Sequence, residues 1–124
     1  MEPEIQYNYW KIAAGVGIYL IAQFIVWYQI QGQFVSEWFA KRPMLMAAMG
    51  FPISLMFIYG AGLLVDGFAG DLWPQRLLAF SMGMVAFAIL TYVHTGQGIN
   101  MKTAVTLILA LAITLIQVFW KTKN

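Results

Sequence analysis

Gln23 is a lone amide in the middle of a long apolar run, in register with Gly15, Tyr19 and Trp27 at intervals of four. On a helix that spacing sets all four on one stripe. Thr106, Ala110, Thr114 and then Gln117 form a second stripe in the last apolar run. Gly50, Ser54 and Ala61 fall in the second run, and Ser81, Ala88 and Thr91 in the third. Amides and hydroxyls of this kind donate and accept hydrogen bonds without changing charge near neutral pH, so their chemistry is binding. Small and polar stripes also serve helix packing, where Ser, Thr and Gln bond across helices. The alternative is a weakly polar central cavity with Gln23 and Gln117 as its strongest groups, and Tyr19, Ser54 and Ser81 along its wall. An unpaired buried amide is costly, which makes mid-span Gln23 the leading candidate for contact with a solute.

The 7 Lys+Arg and 5 Asp+Glu all lie outside the four apolar runs. An intramembrane carboxylate, the usual group for exchanging a proton against a substrate, is therefore missing. His94 is the single histidine and has no carboxylate near it in sequence, so a Ser–His–Asp hydrolase has no support. With 0 cysteines there is no disulfide, thiolate metal site or thiol nucleophile. Met44, Met46 and Met49 lack a Cys or His to complete a soft-metal site and read as adaptable packing. His94 is expected at a solvated rim. Of the aromatic residues, Tyr19 and Tyr59 stand away from the span ends and could face a solute. The expectation is a protein that is not an enzyme and uses no cofactor or metal.

The elements that must hold these groups are membrane spans. Hydrophobic residues make up 61% and charged residues 10% of the 124, against about 45–50% and about 25% in soluble domains. Charge-free apolar runs predict four transmembrane helices, at approximately 12–30, 44–65, 77–93 and 103–120. Short connections predict an up-down bundle, an all-α membrane protein of one domain. The linker 31–42 holds Phe34, Val35, Trp38 and Phe39 at amphipathic spacing and predicts a short interfacial helix. Residues 66–71 read as a flexible turn and 96–100 as a tight one, making a hairpin of the last two spans. Pro52 predicts a kink in span two.

Charge says little about orientation. Lys11, Arg76, Lys121 and Lys123 lie on the side of both termini, and Lys41, Arg42 and Lys102 on the other. Four against three permits insertion either way, and with it an antiparallel homodimer. The cations are scattered rather than clustered, so no nucleic-acid partner is expected. The N-terminal Met1-Glu2-Pro3-Glu4 is acidic where a secretory leader would be basic and then apolar, so no cleaved leader is expected.

The run Gly83-Met84-Val85-Ala86-Phe87-Ala88-Ile89-Leu90-Thr91-Tyr92-Val93-His94-Thr95-Gly96-Gln97, followed by Ile99, Lys102 and an apolar helix, resembles the last hairpin of the small multidrug resistance proteins. In span one, Leu20-Ile21-Ala22-Gln23 resembles that family's Leu-Ala-Glu segment. Length, four spans and balanced charge are also similar. The resemblance places the chain near the drug/metabolite transporter superfamily and implies membrane passage of a small or amphipathic solute. The family's proton-binding glutamate is matched by Gln23, which cannot titrate, so the resemblance implies passage without proton coupling, by an uncoupled facilitator or flippase-like carrier. Two further departures are Ala79 and Phe80 in the neighbourhood of the family's third-helix tryptophan, and Ala110, Ala112 and Thr114 where its last helix has a glycine-rich dimer contact.

The expected partners are the lipid bilayer, the solute, and a second copy or a small hetero-oligomer, in a bacterial inner (plasma) membrane. The rival expectation is a non-transporting membrane subunit or a holin-like lesion-forming protein. Toxicity and large oligomers would mark the holin; flux from small oligomers would mark the carrier.

Overall fold

A computed structural model describes residues 6–120. The acidic Glu2 and Glu4 and the cations Lys121 and Lys123 lie outside the described residues. Helix α1 (Tyr9–Gln31) starts at Asn8, whose side chain accepts the Lys11 amide at 3.3 Å. A single 3-10 turn, Gly32–Phe34, and the four-residue helix α2 (Glu37–Ala40) make up the first connection. Phe34 and Trp38 remain exposed there, as an interfacial segment requires. The Arg42 guanidinium lies 4.4 Å from the centroid of the Trp38 ring.

Span two consists of α3 (Pro43–Ala48) and α4 (Gly50–Gly67), separated at Met49. This is the distortion expected of Pro52. It falls beside Ala48, the residue whose carbonyl would have taken the amide that proline lacks. Helix α5 (Leu72–Thr95) starts at Asp71, which accepts the Trp73 amide, and ends on Gly96 in the left-handed region at φ 73°. Helix α6 (Met101–Phe119) is capped by the Asn100 side chain on the Thr103 amide. All four spans outrun the boundaries drawn by charge: α1 takes in Lys11, α4 Asp66, α5 Arg76 and α6 Lys102. Satisfied caps carry each helix outward past its first or last charge.

Four helices are long and apolar enough to cross a membrane. The chain is an all-α integral membrane protein. The Asn8 amide donates to the Gly67 carbonyl at 2.9 Å, joining the start of α1 to the end of α4. At the opposite end Trp27 and Tyr28 meet Thr91 and His94. Helices α1 and α5 therefore run in one direction and α4 runs against them. Helix α6 packs on α5 through Ala110 and Thr114 and leaves most of its apolar surface outward, where lipid is the solvent. Its far end is tied back by Tyr7, whose hydroxyl donates to the Val118 carbonyl at 3.0 Å.

The closest crossing is between α1 and α4. A Cβ on Gly15 would stand 2.6 Å from Leu64 Cγ and 3.1 Å from the Gly60 carbonyl oxygen. Small residues let backbones approach in lipid, where apolar burial alone gives helices little reason to associate. The segment 66–71, expected to be flexible, is built instead around Phe68. That ring is fully buried, and Tyr7 meets it edge-on at 5.0 Å. Four backbone bonds close the turn, from the amides of Phe68, Ala69, Gly70 and Asp71 to the carbonyls of Leu64, Asp66, Val65 and Phe68. The correction follows from a glycine-rich spelling that conceals one anchoring side chain.

Candidate functional site

The polar groups that the fold gathers lie along the seam between α1 and α5. Three side-chain bonds pin it. Near the start of α5, Gln75 Nε2 donates to the Tyr19 hydroxyl at 2.7 Å. Near its end, Trp27 Nε1 donates to Thr91 Oγ1 at 3.0 Å, and Tyr28 and His94 share a bond of 2.7 Å. The His94 ring also stacks on Trp27, with centroids 5.1 Å apart. His94 is exposed at the rim, as expected, but it is also part of the pin. Trp27, the last member of the span-one stripe, is buried between the helices, where its indole has a hydroxyl partner on α5.

Between these pins the seam opens. Its wide part, a groove of about 510 Å³, is lined by Tyr19, Gln23, Phe57, Arg76, Gly83 and Met84, among others. On the far side of Gln23 and Gly83 lies a smaller cleft of about 70 Å³, walled by Val26, Trp27, Gln31 and Phe87. Gln23 and Gly83 line both spaces. At a rise of about 1.5 Å per residue, Arg76 and Gly83 stand about 10 Å apart along α5. The groove thus runs from the first turns of α5 to the middle of the span, where the smaller cleft adjoins it at Gln23 and Gly83.

Tyr19 is buried, and its oxygen accepts from Gln75 while its own proton stays available to donate. Gln23 is half-buried, and no side-chain hydrogen bond ties its amide among the described residues, so its polar atoms stay open to the groove. Arg76 is exposed into the groove and makes no ion pair among the described residues. Among the described residues no carboxylate lines either space. The groove therefore offers hydrogen-bond donors, aromatic faces and one fixed positive charge.

Of the residues singled out in the sequence, the structure brings Tyr19 and Gln23 together. Ser54 is exposed on the outer surface of α4, and Tyr59 is likewise exposed. Ser81 is buried against α6, where its hydroxyl pairs with Thr114 and reaches the Ala110 carbonyl at 3.2 Å. Gln117 is half-buried near the end of α6. These three candidates stand apart from the seam because α6 meets α5 on another face and Ser54 turns away from α1. Met46 is buried, and its carbonyl takes a bond from Gln29 Nε2 at 2.9 Å, so it packs the α1–α3 contact.

Arg76, Gly83 and Met84 are the site residues that sequence reasoning misses. By charge alone Arg76 reads as a flank of span three. Asp71 followed by Pro74, a cap and a first-turn proline, starts the helix a full turn earlier and so places Arg76 inside it, while the groove beside it depends on how α1 packs. No protein-family model, curated protein or solved structure matches the chain.

Proposed function

We propose that the protein lets a small or amphipathic solute cross the bilayer along the α1–α5 seam, without intrinsic proton coupling. The observation that supports this reading is one pair of residues, Gln23 and Gly83, at the junction of the wide groove and the narrow cleft. An amide with unspent hydrogen bonds at the constriction can replace water around a solute's polar group. A glycine opposite leaves room for the solute to pass. Uncoupled passage fits a seam along which no described carboxylate stands to carry the exchanged proton. The resemblance to the small multidrug resistance proteins supports the same reading and a homodimer or small hetero-oligomer in a bacterial inner membrane.

The test is Gln23→Leu in proteoliposomes, with ethidium, tetraphenylphosphonium and a fluorescent alkyl phosphate as probes. Flux of at least one probe is expected from the wild-type protein, and its loss from the variant, with oligomer size and thermal midpoint unchanged. Leucine matches glutamine in size and is at home in a span. Absence of flux for every probe, or equal flux from wild type and variant, removes the reading. The protein is then a packing subunit whose Gln23 belongs to a helix contact.

A further inference from the structure

We infer that the ligand favoured by this groove is an anionic amphiphile, its head at Arg76 and Gln23 and its tail in the cleft between α5 and α6. The inference deepens the proposed passage, since it uses the same groove. Three observations carry it. First, the only charged group lining the groove among the described residues is Arg76, and it makes no ion pair among them. A guanidinium offers a planar fork of donors that matches a phosphate or carboxylate, and such charge-assisted bonds are about twice as strong as neutral ones. Second, the other polar groups can also donate to an anion. The Tyr19 oxygen accepts from Gln75, leaving its own O–H free, and the half-buried Gln23 amide is tied by no side-chain hydrogen bond among the described residues. A cationic head would meet Arg76 as a like charge.

Third, the wall of the groove is shared with an apolar cleft. Met84 lines both the polar groove and a space of about 230 Å³ between α5 and α6. That second space is walled by Val85, Ala88, Ile89, Leu107 and Leu111. From Arg76 to Ile89 is about 20 Å along the helix axis. One leaflet's share of a ~30 Å hydrocarbon core is about 15 Å, so an acyl chain whose head sits at Arg76 reaches the mouth of this cleft at Met84, about 12 Å along the axis. A free anion would use only the first half of the arrangement, whereas an anionic lipid or single-chain surfactant uses both.

The experiment is photo-cross-linking in phosphatidylcholine nanodiscs, with dodecyl phosphate carrying a diazirine in its tail. Cross-links are expected on α5 and α6 around Met84, Val85 and Leu111. Unlabelled dodecyl phosphate should compete, and dodecyltrimethylammonium and inorganic phosphate should not. Arg76→Gln should weaken labelling about tenfold or more, the loss of one charge-assisted contact. Arg76→Lys, which keeps the charge, should retain most of it and guards against a folding defect. Equal competition by the quaternary ammonium, undiminished labelling of Arg76→Gln, or cross-links elsewhere on the chain would each overturn the inference. Competition by inorganic phosphate at equal concentration overturns the tail and leaves a simple anion site. Because labelling needs no flux, the two readings fail separately. Arg76-dependent labelling without flux ends the passage, and Gln23-dependent flux of a cation without labelling ends the anionic ligand.

Discussion

Gln23 and Gly83 face each other across α1 and α5 so closely that a Cβ on Gly83 would stand 3.2 Å from Gln23 Oε1. The contact is with the far end of a flexible side chain, so the fold can give way while the passage cannot. Gly83→Ala is expected to leave the thermal midpoint unchanged and slow flux moderately. Gly83→Leu should fill the constriction and lower flux at least as much as Gln23→Leu does. Wild-type flux from Gly83→Leu would show that solute does not travel this seam.

The contact between Gly60 and Tyr19 predicts a defect of stability. A Cβ at Gly60 would lie 2.6 Å from Tyr19 Cδ1 and 2.8 Å from Cε1. That ring is buried and cannot retreat. Gly60→Ala should cost about 1–3 kcal/mol, the usual range for overpacking, and loosen the Gln75–Tyr19 bond. Gly62, where nothing lies within 4 Å of an added Cβ, is the control. Gly62→Ala should be neutral or slightly stabilising, since alanine is the better helix former. Unfolding midpoints in a denaturing detergent series check both.

The hydroxyls of Ser81 and Thr114 hold α6 to α5. Thr114 Oγ1 lies 2.9 Å from the Leu77 carbonyl oxygen as well as against Ser81. Interhelical bonds of this type average about 0.6 kcal/mol and reach about 1.7 at most. Thr114→Val should fall in that range, and Ser81→Ala in the same measurement should not add to it fully, because the two share one network. Thr106→Val, whose hydroxyl bonds only its own helix at Lys102, should be silent. Flux of ethidium and tetraphenylphosphonium should survive all three changes, since none touches the α1–α5 seam.

Orientation follows from the cation count of four against three. C-terminal reporters specific for each side of the membrane should both give signal. Two lysines added to the 96–100 loop should bias that loop toward the cytoplasm. Signal from one side alone would exclude the antiparallel homodimer and leave a parallel assembly or a partner of fixed orientation.

Local features are legible in the sequence. Apolar run length marks the four spans, Pro52 marks the break at Met49, and Gly96 marks the turn ahead of α6, because each acts within a few residues of its own position. Gln23 stands out as a lone amide in an apolar helix, and Tyr19 as its neighbour one turn away. Phe68 is not legible: a turn-like sequence hides how deeply one of its side chains is inserted. Nor is Arg76, since a charge at a span end looks the same whether it leaves the helix or lies along a groove.

The sequence by itself determined that this chain crosses a membrane four times and carries no titratable carboxylate within its four apolar runs. Hydropathy and helix-breaking residues are properties of consecutive residues, and lipid enforces them strictly by leaving no backbone group unpaired. Only the tertiary structure decided which stripes meet. Gly15 and Gly60 set how closely α1 approaches α4, and Trp27–Thr91 and Tyr19–Gln75 set the register of α1 on α5. Those contacts join residues dozens of positions apart, and they place Gln23 opposite Gly83 with Arg76 above them. A small rotation of either helix would leave the same four spans without the groove, because span length depends on local hydropathy while a cavity depends on how two helices turn toward each other.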